Sequence, residues 1–231
     1  MEKENLNTVE GYQLSINQMN LWSIASKNIE KYYNQVVIDL EDKLTIEKLR
    51  RVLALVVRKN ETLMFTMSSV SGATFPVQLV SESSEAAIYE ETVRALDAAT
   101  IHEITNSYLS DDYDPNTSNA LRACLLTDAD NNQVLVLRLF SLWADTYSAM
   151  YLCNELSKAL QDETAYENEE KEVVEYQDFA AWQQQLFNDP EEEGVNFWKN
   201  YTVDTTKEIL PFKKQQEGLF TPHKDRLFIY T

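Results

Sequence analysis

Two apolar strands joined by a short polar turn limit the fold of this chain more than any other feature of its sequence. Leu121–Thr127 and Gln133–Phe140 flank a turn of Asp, Ala and Asn residues at positions 128–132. The second strand is apolar at nearly every position, which is typical of a strand covered on both faces. A sheet whose central strands are packed on both sides is therefore predicted.

Helical and strand patterns alternate around these two strands. The clearest helical stripe follows Thr45, a good N-cap residue. Its apolar members recur at steps of three and four residues: Ile46, Leu49, Val52, Leu53, Val56 and Val57. Before position 120 the sequence also predicts a helix at 17–26, a strand at 32–40, a hairpin of strands 62–70 and 74–80 around Ser71-Gly72, and a helical stretch at 84–109.

The second half of the chain is richer in helical patterns. Residues 147–160 have helical spacing through Met150, Cys153 and Leu156. They are followed by a predicted solvated linker at 167–175, helices at 174–187 and 191–201, a crossing loop at 210–217 and, from 224 to 230, a strand whose partners are expected to be missing. The pattern predicts an α+β fold, a two-layer α/β sandwich with a mixed β-sheet, followed by a helical extension.

Charge and composition narrow the classes of partner and cofactor. Twenty basic and 38 acidic residues give a net charge of −18, and such a surface repels phosphate backbones and anionic lipids, so neither nucleic acid nor membrane is an expected partner. The charged N-terminus lacks the apolar stretch of a signal peptide, which favours a cytoplasmic protein. Glycine-rich phosphate-binding motifs are absent from the sequence. Cys124 and Cys153 have no metal-ligand spacing, so free thiols are predicted.

Several segments resemble motifs of one family. Residues 15–22 (SINQMNLW) are similar to S-x-A-Q-x-R-L-W, with Asn17 and Asn20 in place of Ala and Arg. Residues 59–63 (KNETL) are similar to R-H-E-x-L, although the R-T that follows has become Met64-Phe65. Both motifs belong to the condensation domains of non-ribosomal peptide synthetases, which have the chloramphenicol-acetyltransferase-like fold.

Three later segments strengthen the resemblance. Tyr113-Asp114 followed by residues 121–123 (LRA) looks like F-D-L…P-L-x-R-A, and residues 176–183 (YQDFAAWQ) match Y-x-D-F-A-x-W-Q at every fixed position. Phe197-Trp198 stands where the family carries Tyr-Trp. The aromatic members of these helical motifs are predicted to pack in the core: Trp22, Phe179 and Trp182.

The resemblance covers residues 12–231 and corresponds to the N-terminal lobe of a family that has two lobes. It implies that residues 1–188 form one lobe of a condensation-like domain. Residues 189–231 would then supply a helix, a crossing loop and a first strand leading to an absent second lobe. In the family, the substrate tunnel runs between the two lobes.

A further segment, residues 140–146 (FSLWADT), stands where the family carries its catalytic motif H-H-x-x-x-D-G. The resemblance implies that the second His assists attack of an acceptor amine on a donor thioester, both held on phosphopantetheine arms of carrier proteins. Here Phe140 and Ser141 replace the two histidines, and Thr146 replaces the Gly. A serine hydroxyl titrates far above neutrality, and Ser141 has no adjacent base, so we expect neither a general base nor a nucleophile.

Asp145 keeps the acidic residue of the motif. The resemblance implies a structural ion pair for Asp145, with Arg122 or Arg138 as the candidate partner. No competent catalytic residue, bound cofactor or metal is expected.

No other residue is expected to supply the missing chemistry. His102 is predicted to lie within a helix and His223 near the end of the chain, each as a lone histidine outside any recognisable site. Residues 111–114 (DDYD) lack the ligand spacing and glycine of a calcium loop, so a solvated turn is predicted.

Three interpretations follow. The first is a degenerate, non-catalytic lobe that serves as a docking or structural module, with carrier or adenylation domains or a recruited tailoring enzyme with a basic patch as partner. Inactive family members that recruit tailoring oxygenases give the precedent. The alternative is a fragment of an acyltransferase that forms amide bonds once its second lobe is present. The third is an unrelated acidic interaction module.

Overall fold

One mixed five-stranded sheet and a separate hairpin form the framework of the computed structural model, which describes residues 11–83, 85–109, 113–170, 174–188, 192–201 and 228–230. Its strands are β1 Tyr33–Leu40, β2 Phe65–Ser68, β3 Val77–Val80, β4 Ala87–Thr92, β5 Leu121–Thr127, β6 Gln133–Phe140 and β7 Phe228–Tyr230. Its helices are α1 Ile16–Ala25, α2 Ile46–Arg58, α3 Ala98–Leu109, α4 Thr146–Gln161, α5 Glu163–Asn168, α6 Tyr176–Asn188 and α7 Glu192–Asn200. The predicted α+β class with a mixed sheet is confirmed.

The sheet is centred on the two strands that the sequence predicted most strongly. Its order is β4-β5-β6-β1-β7, with β6 antiparallel to both β5 and β1. The two edge strands run parallel to their neighbours, β4 beside β5 and β7 beside β1. Almost every side chain of β5 and β6 is buried, because packed residues cover both faces of the sheet.

Apolar clusters on the two faces hold the helices against the sheet. The larger cluster joins α1, α2 and α4 to one face, and the smaller one joins α3 to the other through Ile101 and Leu109. The predicted stripe of α2 is buried at Leu49, Val52, Leu53, Val56 and Val57. Each fully buried side chain of this size contributes about 1.5–3 kcal/mol. The layer of α2 and α4 on the sheet is therefore a main source of stability.

Side-chain caps determine where three helices begin. Ser15 and Gln18 form a reciprocal capping box at α1, and the Thr45 hydroxyl accepts from the backbone N–H of Lys48 at α2. Asp145 caps α4 in the same way. The helix predicted at 147–160 is confirmed as α4, in which Leu156 is buried while Met150 is exposed.

The helical stretch predicted at 84–109 is wrong in its first half. Ala87–Thr92 forms strand β4, and α3 begins only at Ala98. Pairing with the buried strand β5 supplies the backbone hydrogen bonds of β4 and overrides the local preference. The predicted hairpin is present but shorter, because a 3₁₀ turn at Glu61–Met64 precedes β2.

The prediction that the last strand lacks partners in this chain is also wrong. β7 pairs in parallel with β1 at Val36, Val37 and Ile38. A parallel neighbour requires a crossover connection, which local pattern does not reveal. The predicted crossing loop at 210–217 lies outside the described residues, and the division of the chain at residue 188 stays a prediction.

Core packing is confirmed for one of the three motif aromatics and is wrong for the other two. Trp22 packs partly buried against the larger cluster. Phe179 and Trp182 on α6 have exposed fractions of 37% and 55%.

The acidic run at 167–175 begins inside α5. Glu169 and Glu170, which follow the end of α5, are exposed, as expected of a solvated segment.

Candidate functional site

The loop between β6 and α4 is the candidate site. β6 ends at Phe140 and α4 begins at Thr146, so residues 141–145 connect the centre of the sheet to its helical layer. The backbone N–H of Ser141 donates to the Tyr32 carbonyl at 2.8 Å, and that of Trp143 donates to the Phe140 carbonyl at 3.0 Å. These bonds hold the connection, called the 141–145 loop below, in a tight turn.

Phe140, which stands where the resemblance expects the first histidine, lies in an aromatic stack. Its ring is fully buried and parallel to the Tyr113 ring, with an interplanar angle of 6° and centroids 3.3 Å apart. The indole N–H of Trp143 donates to the Tyr113 hydroxyl at 3.1 Å. Burial raises the pKa of Tyr113 above its ordinary value. The first motif position is therefore part of an apolar core and offers no group that exchanges protons near neutral pH.

Asn34 on β1 holds both ends of the 141–145 loop. Its amide nitrogen donates to the Ser141 hydroxyl at 3.3 Å and to the Ala144 carbonyl at 3.0 Å. Its amide oxygen accepts from the Thr146 hydroxyl at 3.1 Å. The hydroxyls of Ser141 and Thr146, which stand where the resemblance expects the second His and the Gly, are thus bound to one side chain that sequence reasoning missed. Its only local signal is a polar residue in an otherwise β-forming run.

Asp145 supports the loop as a helix cap. Its carboxylate accepts from both the backbone N–H and the hydroxyl of Ser148, each at 2.8 Å. The backbone N–H of Ser148 is the first cause that holds the pKa of Asp145 below its ordinary value, and partial burial opposes this. Asp145 therefore supports the start of α4 through hydrogen bonds with Ser148 and not through an ion pair.

The predicted ion pair of Asp145 with Arg122 or Arg138 is wrong, because within the described part of the chain its carboxylate bonds to Ser148. Arg138 is buried, donates to Gln35 at 3.1 Å and lies 3.8 Å from the centroid of the Tyr33 ring. Burial lowers its pKa to about 10. The Arg122 guanidinium lies 5.4 Å from the Tyr113 ring centroid.

Gln18 connects the loop to the first motif and to the hairpin. Its amide nitrogen donates to the Leu142 carbonyl at 3.1 Å and to the Gln78 side-chain oxygen at 2.9 Å. Its amide oxygen accepts from the Ser15 backbone N–H at 2.9 Å. All of these groups are buried, so the amide of Gln18 is needed to satisfy the Leu142 carbonyl.

The other candidate residues do not converge on this loop. His102 lies on α3, on the opposite face of the sheet, with its Nε2 atom 2.9 Å from the Asn106 amide nitrogen. Asp114 accepts from the backbone N–H of Asn116 in an exposed turn. His223, Asp111 and Asp112 lie outside the described residues. Across the residues that are described, no three metal-ligating side chains come together.

Both cysteines are free thiols, as predicted. Cys124 is buried in the sheet, and this burial raises its pKa to about 12. Desolvation raises the pKa of the half-buried Cys153 as well. Neither thiol has the lowered pKa of a nucleophile.

The mixed sheet, its helices and the strand–loop–helix connection agree with the chloramphenicol-acetyltransferase-like fold that the resemblance implied. The family described as Condensation domain matches residues 9–228, and the chain therefore belongs to the condensation-domain family. In the part of the chain that the structure describes, no helix is long and apolar enough to cross a membrane.

Curated relatives are very large synthetases. The chain is 30% identical to tyrocidine synthase 3 of Brevibacillus parabrevis over 164 residues, which cover 70% of this chain and 2% of that protein. It is 25% identical to cyclosporin synthetase of Tolypocladium inflatum over 199 residues, which cover 83% of this chain and 1% of that protein.

Solved relatives share the fold over about half of their own length. The condensation domain from the Monacolin K polyketide synthase MokA has a TM-score of 0.71 at 18% identity, covering 94% of this chain and 49% of that one. The X-domain from teicoplanin biosynthesis has a TM-score of 0.72 at 19% identity, covering 89% of this chain and 46% of that one. The chain therefore spans about half of these solved relatives.

Proposed function

We propose that this chain is a non-catalytic condensation-domain lobe of a non-ribosomal peptide synthetase and acts in the cytoplasm as a docking or structural module. The observation that carries the proposal is the pair Phe140 and Ser141 at the two histidine positions. The Phe140 ring has no group that can take a proton, and the Ser141 hydroxyl already accepts from Asn34. Loss of a positioned general base typically lowers a rate by about 10²–10⁴-fold.

A tailoring enzyme with a basic patch is the proposed class of partner, with carrier and adenylation domains as the other candidates. The net charge of −18 favours a basic surface. A precedent comes from a solved relative, the X-domain from teicoplanin biosynthesis, which forms a complex with OxyB.

A second candidate function has one observation in its favour. Because the chain covers 46–49% of the first solved relatives, it is also a candidate fragment of an amide-forming acyltransferase whose second half supplies the missing base. The two proposals differ in whether the chain turns over carrier-bound substrates when a second half is present.

A condensation assay separates them. The chain is incubated with an aminoacyl-loaded donor carrier and an aminoacyl-loaded acceptor carrier, alone and with a second lobe, and dipeptidyl carrier is measured by mass spectrometry. We expect no product in either case, and none from the chain in which Ser141→His and Thr146→Gly are combined. Product formed by the unmodified chain would refute the non-catalytic proposal.

A pull-down against purified carrier proteins and oxygenases tests docking. Binding to none of them would count against recruitment of a partner by this chain.

A further inference from the structure

Strand β4 forms one edge of the main sheet. Within the described part of the chain it pairs with β5 alone, as the first strand in the order β4-β5-β6-β1-β7. All six residues of Ala87–Thr92 pair with β5 in unbroken register, without a bulge or a proline. A regular edge of this kind presents a row of backbone N–H and C=O groups to which another extended chain can bind.

The outward backbone groups of β4 belong to alternate residues. Just beyond the strand, the backbone N–H of Val93 donates to the Thr127 carbonyl at 2.8 Å, so it points towards β5. Because the backbone groups of successive residues point to opposite sides of a strand, those of Ile88, Glu90 and Thr92 point away from β5. Within the described residues none of these outward groups makes a hydrogen bond. They are therefore free to pair with an incoming strand.

The edges of the separate hairpin are occupied. On the outer side of β3, Tyr12 and Gln78 exchange backbone hydrogen bonds at 2.8 and 2.7 Å. On the outer side of β2, the backbone N–H of Met67 donates to the Pro115 carbonyl at 2.7 Å. Each hairpin edge is thus covered near its centre by another segment of the chain, in contrast to β4.

The surroundings of the β4 strand are acidic. Between positions 82 and 97 the charged residues are Glu82, Glu85, Glu90, Glu91, Arg94 and Asp97, of which only the arginine is basic. The side chain of Glu90 is exposed on the strand itself. Opposite charges on neighbouring strands stabilise their pairing, and like charges directly opposite each other destabilise it. This edge therefore favours a basic strand and disfavours a second copy of itself.

The other face of β4 adds aromatic surface. The partly buried Tyr89 lies there, with its ring centroid 5.3 Å from that of Tyr108 on α3. The Tyr108 hydroxyl donates to the Glu91 carboxylate at 2.9 Å, which holds this ring beside the strand. Side chains of an incoming strand also alternate between the two faces. Basic side chains would then lie beside Glu90, while apolar ones lie beside Tyr89.

We propose that the β4 edge, defined by the outward backbone groups of Ile88, Glu90 and Thr92, binds an extended basic segment of a partner protein by strand addition. The segment alternates Lys or Arg with β-branched apolar residues. Main-chain hydrogen bonds supply the affinity in this mode of recognition, and alternate side chains supply the specificity. The inference rests on the proposed docking function, for which it names the surface and the form of the partner.

The test titrates the whole chain into the labelled peptide KVKVKVK, acetylated and amidated at its ends, and follows fluorescence anisotropy. We expect saturable one-to-one binding, at least tenfold tighter than that of a peptide with glutamate in place of lysine. A second control carries methyl groups on two adjacent central backbone nitrogens, which keeps the charge and blocks hydrogen bonding along both peptide edges. It is expected to bind at least tenfold more weakly. Equal binding of the methylated peptide, or no binding of KVKVKVK, overturns the proposal.

Residue-resolved hydrogen exchange locates the bound peptide. The N–H groups of Ile88, Glu90 and Thr92 are expected to exchange at least tenfold more slowly in the complex, because the peptide supplies their hydrogen-bond acceptors. The N–H of Val93, which already donates to Thr127, is the internal control and stays unchanged. A bound peptide that adds no protection at the three outward groups overturns the proposal.

Two substitutions at one position separate the backbone from the charge. Glu90→Pro removes an outward N–H and leaves the hydrogen bonds to β5 in place, as proline does on edge strands. We expect it to weaken peptide binding at least tenfold, and Glu90→Gln, which removes only the charge, to weaken it less. If circular dichroism shows that the proline variant does not fold, Glu90→Lys replaces it and should also weaken binding at least tenfold. Unchanged binding by the folded variant overturns the proposal.

Two further measurements separate this surface from other outcomes. Light scattering of the chain alone is expected to give a monomer, and a dimer that Glu90→Lys dissolves would overturn the proposal by showing that a second copy occupies the edge. A carrier protein or oxygenase captured equally well by the unmodified chain and by Glu90→Lys would support the docking function and overturn only the assignment of the β4 edge. Capture that Glu90→Lys abolishes supports both.

Discussion

Replacing Asn34 by Ala removes the side chain that binds both ends of the 141–145 loop. Two of its hydrogen bonds are short enough to contribute fully to stability. The Asn34 amide donates to the Ala144 carbonyl at 3.0 Å, and its oxygen accepts from the Thr146 hydroxyl at 3.1 Å. The third, to the Ser141 hydroxyl, is longer at 3.3 Å. Each contributes about 0.5–1.5 kcal/mol net, and water reaches these half-buried groups, so Asn34→Ala is expected to lower the free energy of unfolding by about 1–2 kcal/mol.

Urea unfolding followed by circular dichroism measures this loss, with the slope of the transition expected to stay unchanged. For a chain of this length, each kcal/mol also lowers the melting temperature by roughly 2–4 °C. Ser141→Ala is the matched control, because it removes only the longest of the three bonds and should cost less than about 0.5 kcal/mol. The reasoning is refuted if Asn34→Ala is as stable as the unmodified chain, or if Ser141→Ala costs as much.

Three further predictions concern the same region and the sheet beneath it. Phe140→His places a histidine where the resemblance expects the first motif histidine. It should destabilise the fold by about 2–4 kcal/mol, because a polar ring replaces a buried one stacked on Tyr113. Thermal unfolding checks this, and an equally stable variant would contradict it. Asp145→Ala should cost about 1 kcal/mol near neutral pH. The Ser148 backbone N–H lowers the pKa of Asp145 in the folded state. The difference in unfolding free energy between the unmodified chain and Asp145→Ala should therefore be complete above the ordinary carboxyl pKa and vanish as the pH falls through the folded pKa. Asp145→Asn, which keeps a hydrogen-bond acceptor, is the control, and a difference that does not depend on pH would be inconsistent with the cap. Cys124, whose pKa burial raises to about 12, should resist thiol reagents at neutral pH until the protein unfolds, and rapid labelling of the native chain would argue against this burial.

The sequence by itself determined the elements whose signal is local. Helix α2 was predictable from Thr45 and the apolar stripe behind it, and β5 and β6 matched their predicted bounds. The residues at 140 and 141, where the resemblance expects two histidines, are equally visible in the sequence as Phe and Ser. Each of these features depends on residues within a few positions of one another, which is the range over which periodicity and capping act.

Only the tertiary structure decided which distant groups meet. Asn34 contacts Ser141 across 107 positions of the chain, and Tyr176 contacts Ser15 across 161. No local pattern distinguishes Ser148 from Arg122 or Arg138 as the partner of Asp145, because the cap depends on how the chain enters α4. Likewise, β4 is a strand because the buried edge of β5 pairs with it.

The orientation of α6 shows most clearly what a local sequence pattern does not determine. Its sequence indicates an amphipathic helix, and Phe179 and Trp182 suit a core. Three polar contacts with the start of α1 turn that face outward instead. Periodicity shows that a helix has two unlike faces, but which face the lobe binds depends on hydrogen-bond partners that folding brings together from distant parts of the chain.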